Sequence, residues 1–251
     1  MRIPSLLLFA LLAAGCASPS APPTSEPSPT PGDAGQEADF ITPGVWDVRG
    51  DTDYMMAWVH NLAAARALVT WTLTGPAGAA LPDGWTATFS EATADLQANG
   101  AKTTSGQGYA YPDWARTEVT LRIPATEGAG NHTVELHVGN AVRTAVATVH
   151  AARGRVAGPG SHVFVSTVGT IAEDGHEFWR GDFDTVLGQP GAVDGVSYGL
   201  MGVTAGETVA LRTPPAFAYG YDNPAPKPGQ QDYSQFNGHT LVFTMRMTRF
   251  S

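Results

Sequence analysis

The chain has one cysteine, Cys16, so no intrachain disulfide can hold it together. It is also short of positive charge: 14 basic residues stand against 23 acidic ones, for a formal net charge of -9. A surface with no basic reserve cannot neutralise a phosphate backbone, which excludes nucleic acid as a partner. Sustained apolar stripes at a spacing of 3.6 are rare, which excludes a helical bundle. The seven histidines are scattered without metal-ligand spacing, and no Ser-His-Asp set is evident, so neither a metal, a cofactor nor an activated nucleophile is expected.

What the chain has instead is turn chemistry, with 29 Gly and 19 Pro among 251 residues, 43% of them hydrophobic. That is enough apolar material for two modest cores, built mainly from short strands joined by turns. The expected class is mainly β.

Met1-Arg2 followed by the apolar run Leu6 to Ala14 has the form of an export signal, too short to span a bilayer in a mature protein. Leu12-Ala13-Ala14-Gly15-Cys16 resembles a bacterial or archaeal lipobox. That resemblance implies residues 1–16 as a lipoprotein signal, lipidation of Cys16, and a protein held at the extracytoplasmic face of a membrane. An ordinary secretory peptide cleaved near the same point is the alternative. Residues 17–39 carry Pro19, Pro22, Pro23, Pro27, Pro29 and Pro31 among Ala, Ser, Thr and acidic residues, and read as an extended disordered tether.

From 40 to 152 the apolar period becomes two. Met55–Val59, Leu68–Leu73, Trp85–Phe89, Glu118–Ile123, Thr133–Val138 and Ala145–Val149 read as the strands of a β-sandwich. The passage from Val119 through Gly128-Ala129-Gly130 to Leu136 resembles the closing hairpin of immunoglobulin-like modules, which implies a spacer or binding module. Asn131-His132-Thr133 is a glycosylation sequon expected at that hairpin's turn. Tyr109, Tyr111 and Trp114 are expected to fold over one end of the sandwich, a ligand platform being the alternative.

Past the Gly-Pro hinge 154–160, residues 153–251 carry a different pattern. Val163-Phe164-Val165 leads to Gly169-Thr170-Ile171-Ala172-Glu173-Asp174-Gly175-His176-Glu177-Phe178, a strand, a charged turn and a return strand. Phe183–Gly188, Ala192–Glu207, Val209–Gly220 with its Pro214-Pro215 step and Ala218-Tyr219-Gly220, and Thr240–Met247 follow in order. Together these motifs resemble an FKBP-type peptidyl-prolyl isomerase domain, an α+β fold in which an antiparallel sheet wraps a short helix. The resemblance implies a groove for proline-containing peptide or protein clients. Its walls would be Phe178, Phe183 and Phe243, and its edge Ala192 and Val193. The backbone N–H of Val193 and the hydroxyl of Tyr219 would donate to client carbonyls.

Three positions depart from the family. Trp179 stands where an aspartate is common, Val196 replaces the tryptophan of the groove floor, and Thr167 or Val168 falls where a tyrosine is usual. The loop 221–233 is expected as a flap, its Tyr221, Tyr233 and Phe236 either touching a client or packing the flap down. Two functions follow from the resemblance: prolyl isomerisation of exported proteins, or client binding without turnover.

Overall fold

The computed structural model describes residues 35–105, 108–222 and 232–251. Residues 1–34, including the expected signal, Cys16 and most of the tether, lie outside them, as does most of the expected flap. Among the described residues, no helix is long and apolar enough to cross a membrane.

The amino-terminal lobe opens with β1 (Gln36–Phe40), β2 (Val45–Val48), β3 (Thr52–Asn61), β4 (Ala67–Thr74), β5 (Thr86–Phe89) and β6 (Thr93–Leu96). A ribbon of β7 (Thr103–Ser105) and β8 (Gly108–Ala110) then leads to β9 (Trp114–Arg122), β10 (Gly130–Val138) and β11 (Ala141–Val149). These form a four-stranded sheet in the order β1-β3-β9-β5 and a five-stranded sheet in the order β2-β11-β10-β4-β6. The first strand begins at Gln36, inside the stretch expected to be tether, because Gln36–Phe40 pairs with the long strand β3.

The closing hairpin expected around Gly128–Gly130 is not there. Strands β9 and β10 belong to different sheets, so residues 123–129 carry the chain from one layer to the other. The hairpin is β10–β11, and its two-residue turn starts with Gly139 at φ 60°, the left-handed conformation that such turns need and glycine supplies. Asn131 therefore sits in a strand opposite Thr148, not at a turn.

Strand β3 explains why Met55-Met56-Ala57-Trp58-Val59 is apolar without alternation: all five side chains are buried. Register with β9 puts Met55, Ala57 and Val59 on one face of their sheet, and Tyr54, Met56, Trp58 and His60 on the other. A strand covered on both faces loses its polar positions. The second cover is the carboxyl-terminal lobe.

That lobe consists of β12 (His162–Ile171), β13 (Glu177–Val186), α1 (Asp194–Gly199), β14 (Thr208–Thr213) and β15 (Leu241–Phe250). Its strands form an antiparallel sheet in the order β13-β12-β15-β14, as expected. Alternation along β12 buries Val163, Val165, Thr167 and Ile171 on the face that α1 covers. Gly195 lets α1 approach the sheet closely; a Cβ there would overlap the side chain of Thr213 on β14.

The two lobes form one compact unit. On the edge strand β14, Arg212 donates its N–H to the Ile41 carbonyl at 2.8 Å, a bond from an otherwise open sheet edge to the other lobe. Gly202, at φ 87°, lies so close to the backbone of Tyr54 that a Cβ would overlap it. Arg49 Nε stands 3.1 Å from Glu207 Oε1.

Candidate functional site

A β-bulge between Gly169 and Thr170 leaves Phe178 without a direct partner on β12 and turns its ring over the sheet. Gly169 makes room for that ring, since a Cβ at this position would lie 2.6 Å from Phe178 Cζ. Phe243, opposite Gly169 on β15, meets Phe178 edge-on with centroids 6.0 Å apart. Phe236 lies 4.6 Å from Phe178, and Tyr219 stacks on Phe236 at 4.9 Å. Tyr233 stacks in turn on Tyr219 at 4.8 Å. Five aromatic rings from four separate segments thus make one continuous wall.

Tyr219 is half-buried within it. Burial pushes its phenol above the ordinary value and neighbouring Tyr233 adds to this, so it stays protonated and able to donate. Val193 precedes α1 with extended backbone, and its carbonyl accepts the N–H groups of Val196 and Ser197. Val196, the expected floor, is buried.

Trp179 and Phe183 belong to a separate pair. Their rings meet edge-on at 5.7 Å on β13, and the Trp179 indole lies over Gly181 with more than a third of the residue exposed. Trp179 therefore lies along its own strand. Thr167, between Gly181 and Met245, has a buried hydroxyl with no hydrogen-bond partner among the described residues. Thr213 repeats this beside α1.

Phe178, Phe183 and Phe243 thus stand on the sheet, Ala192, Val193 and Val196 at or in α1, and Tyr219 and Phe236 in the turns that follow β14 and precede β15. Residues 154–248 match the family model for FKBP-type peptidyl-prolyl cis-trans isomerases. This segment is an FKBP-type domain. No curated protein matches the chain. Among solved structures, the three FKBP domains of wheat FKBP73 are similar at 12% identity, with 87% of this chain and 96% of that chain covered and a TM-score of 0.32. A family 123 glycoside hydrolase from Clostridium perfringens is similar at 10% identity over 50% of this chain and 28% of that one, with a TM-score of 0.29. Neither likeness is close enough to bear on fold or function.

Around the FKBP-type domain, the other lobe supplies contacts that its own pattern did not announce. Tyr221 packs against Tyr111, the rings 5.0 Å apart at 75°, and its N–H donates to the Tyr111 hydroxyl at 2.7 Å. Lys102 Nζ lies 3.2 Å from Asp222. Trp114 meets Phe217 edge-on at 5.8 Å, and Arg116 pairs with Asp194 at 3.0 Å. The Tyr-rich stretch expected to cover the end of the sandwich thus meets the FKBP-type domain through Tyr111, and the neighbouring Trp114 and Arg116 do the same. The signal in the sequence was the density of aromatic residues; its direction was not readable.

Proposed function

We propose that the protein is a prolyl isomerase for exported clients, tethered to the extracytoplasmic face of a membrane through lipidated Cys16. Its amino-terminal lobe serves as an immunoglobulin-like spacer or client-binding arm. The observation that carries this reading is the ring wall of Phe178, Phe236, Phe243 and Tyr219 inside the FKBP-type domain.

Turning an X-Pro amide means passing a twisted state roughly 18–20 kcal/mol above the planar one. The twisted amide has lost resonance and is less dipolar at its carbonyl. A dry groove walled by Phe178, Phe236 and Phe243 therefore suits it better than water does, and better than it suits the planar form. The Tyr219 hydroxyl and the Val193 N–H hold the client carbonyls while the nitrogen pyramidalises. Ala192 edges the groove at the start of the helix and Val196 gives it a small apolar floor.

The test is X-Pro isomerisation of a tetrapeptide by the chain from Ala17 onward, against Tyr219→Phe and Phe243→Ala. Losing one hydrogen bond to the client lowers kcat/KM by about tenfold in Tyr219→Phe. A folded protein that leaves the thermal rate unchanged refutes the enzyme. Thr167 and Trp179 support a second reading, since together they remove a polar pair from the groove rim: a proline-peptide binder without turnover, which binding without acceleration would select. Labelling with a radioactive fatty acid, lost in Cys16→Ser, tests the anchor.

A further inference from the structure

The donors of the proposed groove sit on two elements with little support of their own. Helix α1 has six residues, about one and a half turns, and its N-cap Val193 offers no side-chain hydrogen bond. So short a helix is not stable by propensity alone. The turn bearing Tyr219 runs through Gly220 at φ 82° and directly into Tyr221.

One segment of the amino-terminal lobe reaches both. Arg116 spans α1: its Nε is 3.0 Å from Asp194 at the first turn, and its guanidinium carbon lies 3.6 Å from the centre of the Tyr198 ring one turn later. A planar cation that pairs at one end of the helix and stacks at the other fixes its rotation as well as its position. Trp114 presses edge-on against Phe217, two residues before Tyr219. Tyr111 accepts the N–H of Tyr221, two residues after it, and its hydroxyl fills the space where any side chain on Gly220 would project. The Tyr219 backbone is therefore held on both sides.

We infer that Tyr111, Trp114 and Arg116 are positioning residues for the groove, so that the amino-terminal lobe is a working part of the FKBP-type domain's site. This rests on the groove being a proline-peptide site. The three meet Asp194, Tyr198, Phe217 and Tyr221, and through these they set where the Val193 N–H and the Tyr219 hydroxyl stand. Donors on a strut of this kind lose rate steeply when they shift by a fraction of an ångström.

The experiment uses the chain from Ala17 onward with Tyr111→Ala, Tyr111→Phe, Arg116→Ala and Arg116→Lys. Two quantities are read: kcat/KM for tetrapeptide isomerisation, and amide hydrogen exchange in residues 194–200 and 217–221. Both alanine variants are expected to lower kcat/KM about tenfold and to speed exchange in their own segment by a similar factor, with β12 and β15 as protected as before. Tyr111→Phe, which removes only the acceptor for Tyr221, falls between wild type and Tyr111→Ala. Arg116→Lys keeps the charge without the flat stack and recovers part of the protection in α1. Unchanged exchange in both segments overturns the inference, whatever the activity. So does unchanged kcat/KM in an active wild type. A wild type without isomerase activity sinks the proposed reaction instead, and exchange together with proline-peptide affinity then decides the positioning role.

Discussion

The imidazole of His60 lies flat on the indole of Trp114, with centroids 4.0 Å apart and planes 10° from parallel. The same indole meets Trp58 on β3 at 5.4 Å and Phe217 of the FKBP-type domain at 5.8 Å, so the stack backs the contact between the lobes. His60 Nε2 stands 3.4 Å from Asp113.

The stack has a pH signature. Burial holds the imidazole of His60 below its ordinary value, with Asp113 working against the shift. Its contribution is complete above the unfolded value near 6.5 and is lost as the pH falls, because the unfolded state protonates first. Asp53 does the opposite: burial, partly offset by hydrogen bonds from the N–H groups of Arg49, Tyr54 and Gly50 and the Trp46 indole, raises its carboxyl to about 6. Between about 6 and the unfolded value near 3.8 the native state holds the extra proton, so stability is gained on acidification. His60→Phe should therefore show a melting temperature that rises from pH 7 to pH 5, and Asp53→Asn one that falls. Thermal scans giving parallel profiles would contradict both assignments.

Thr167 and Thr213 each bury a hydroxyl with no partner among the described residues. Replacing either with valine keeps the shape and removes the desolvation cost. Each of Thr167→Val and Thr213→Val should be more stable by about 1 kcal/mol in urea unfolding. A loss of stability would show that the hydroxyl is satisfied in solution.

Gly169 is the floor beneath Phe178. In Gly169→Ala the new methyl meets the ring at 2.6 Å, and the ring must swing away from Phe243. Titration with a proline peptide should show affinity weakened by about tenfold, with near-ultraviolet circular dichroism altered while β12 stays paired. Unaltered affinity would mean that Phe178 does not line the client site.

Phe243 and Trp179 should separate in stability. Phe243 is buried at one end of the ring wall, edge-on to Phe178, so Phe243→Ala costs about 3–5 kcal/mol. Trp179 is exposed on β13 against one ring, and Trp179→Ala costs about 1 kcal/mol or less. Denaturant midpoints check the contrast; equal losses would place Trp179 in the core.

Strands were legible where one face is wet, as in β4, β10 and β11, because alternation records which side meets water. Which sheet each strand joins was not, and so residues 119–136 read as a hairpin although they cross between layers. Part of the ring wall was legible through the motifs: Phe178, Tyr219 and Phe243, expected together, stand in one wall with Phe236 between Phe178 and Tyr219. Phe183 and Trp179 stand outside that wall, because the bulge at Gly169 turns Phe178 inward and leaves the next aromatic residues paired along β13.

The amino-acid sequence alone determined the mainly β character, the change of pattern near residue 154 and the aromatic positions of the FKBP-type domain, since these follow from local periodicity and from motif order. Tertiary structure decided that Tyr111, Trp114 and Arg116 meet α1 and the Tyr219 turn. Those contacts join residues about 80 to 110 positions apart. No local propensity encodes such pairs; they form only when the two lobes bury their remaining apolar faces in one continuous core.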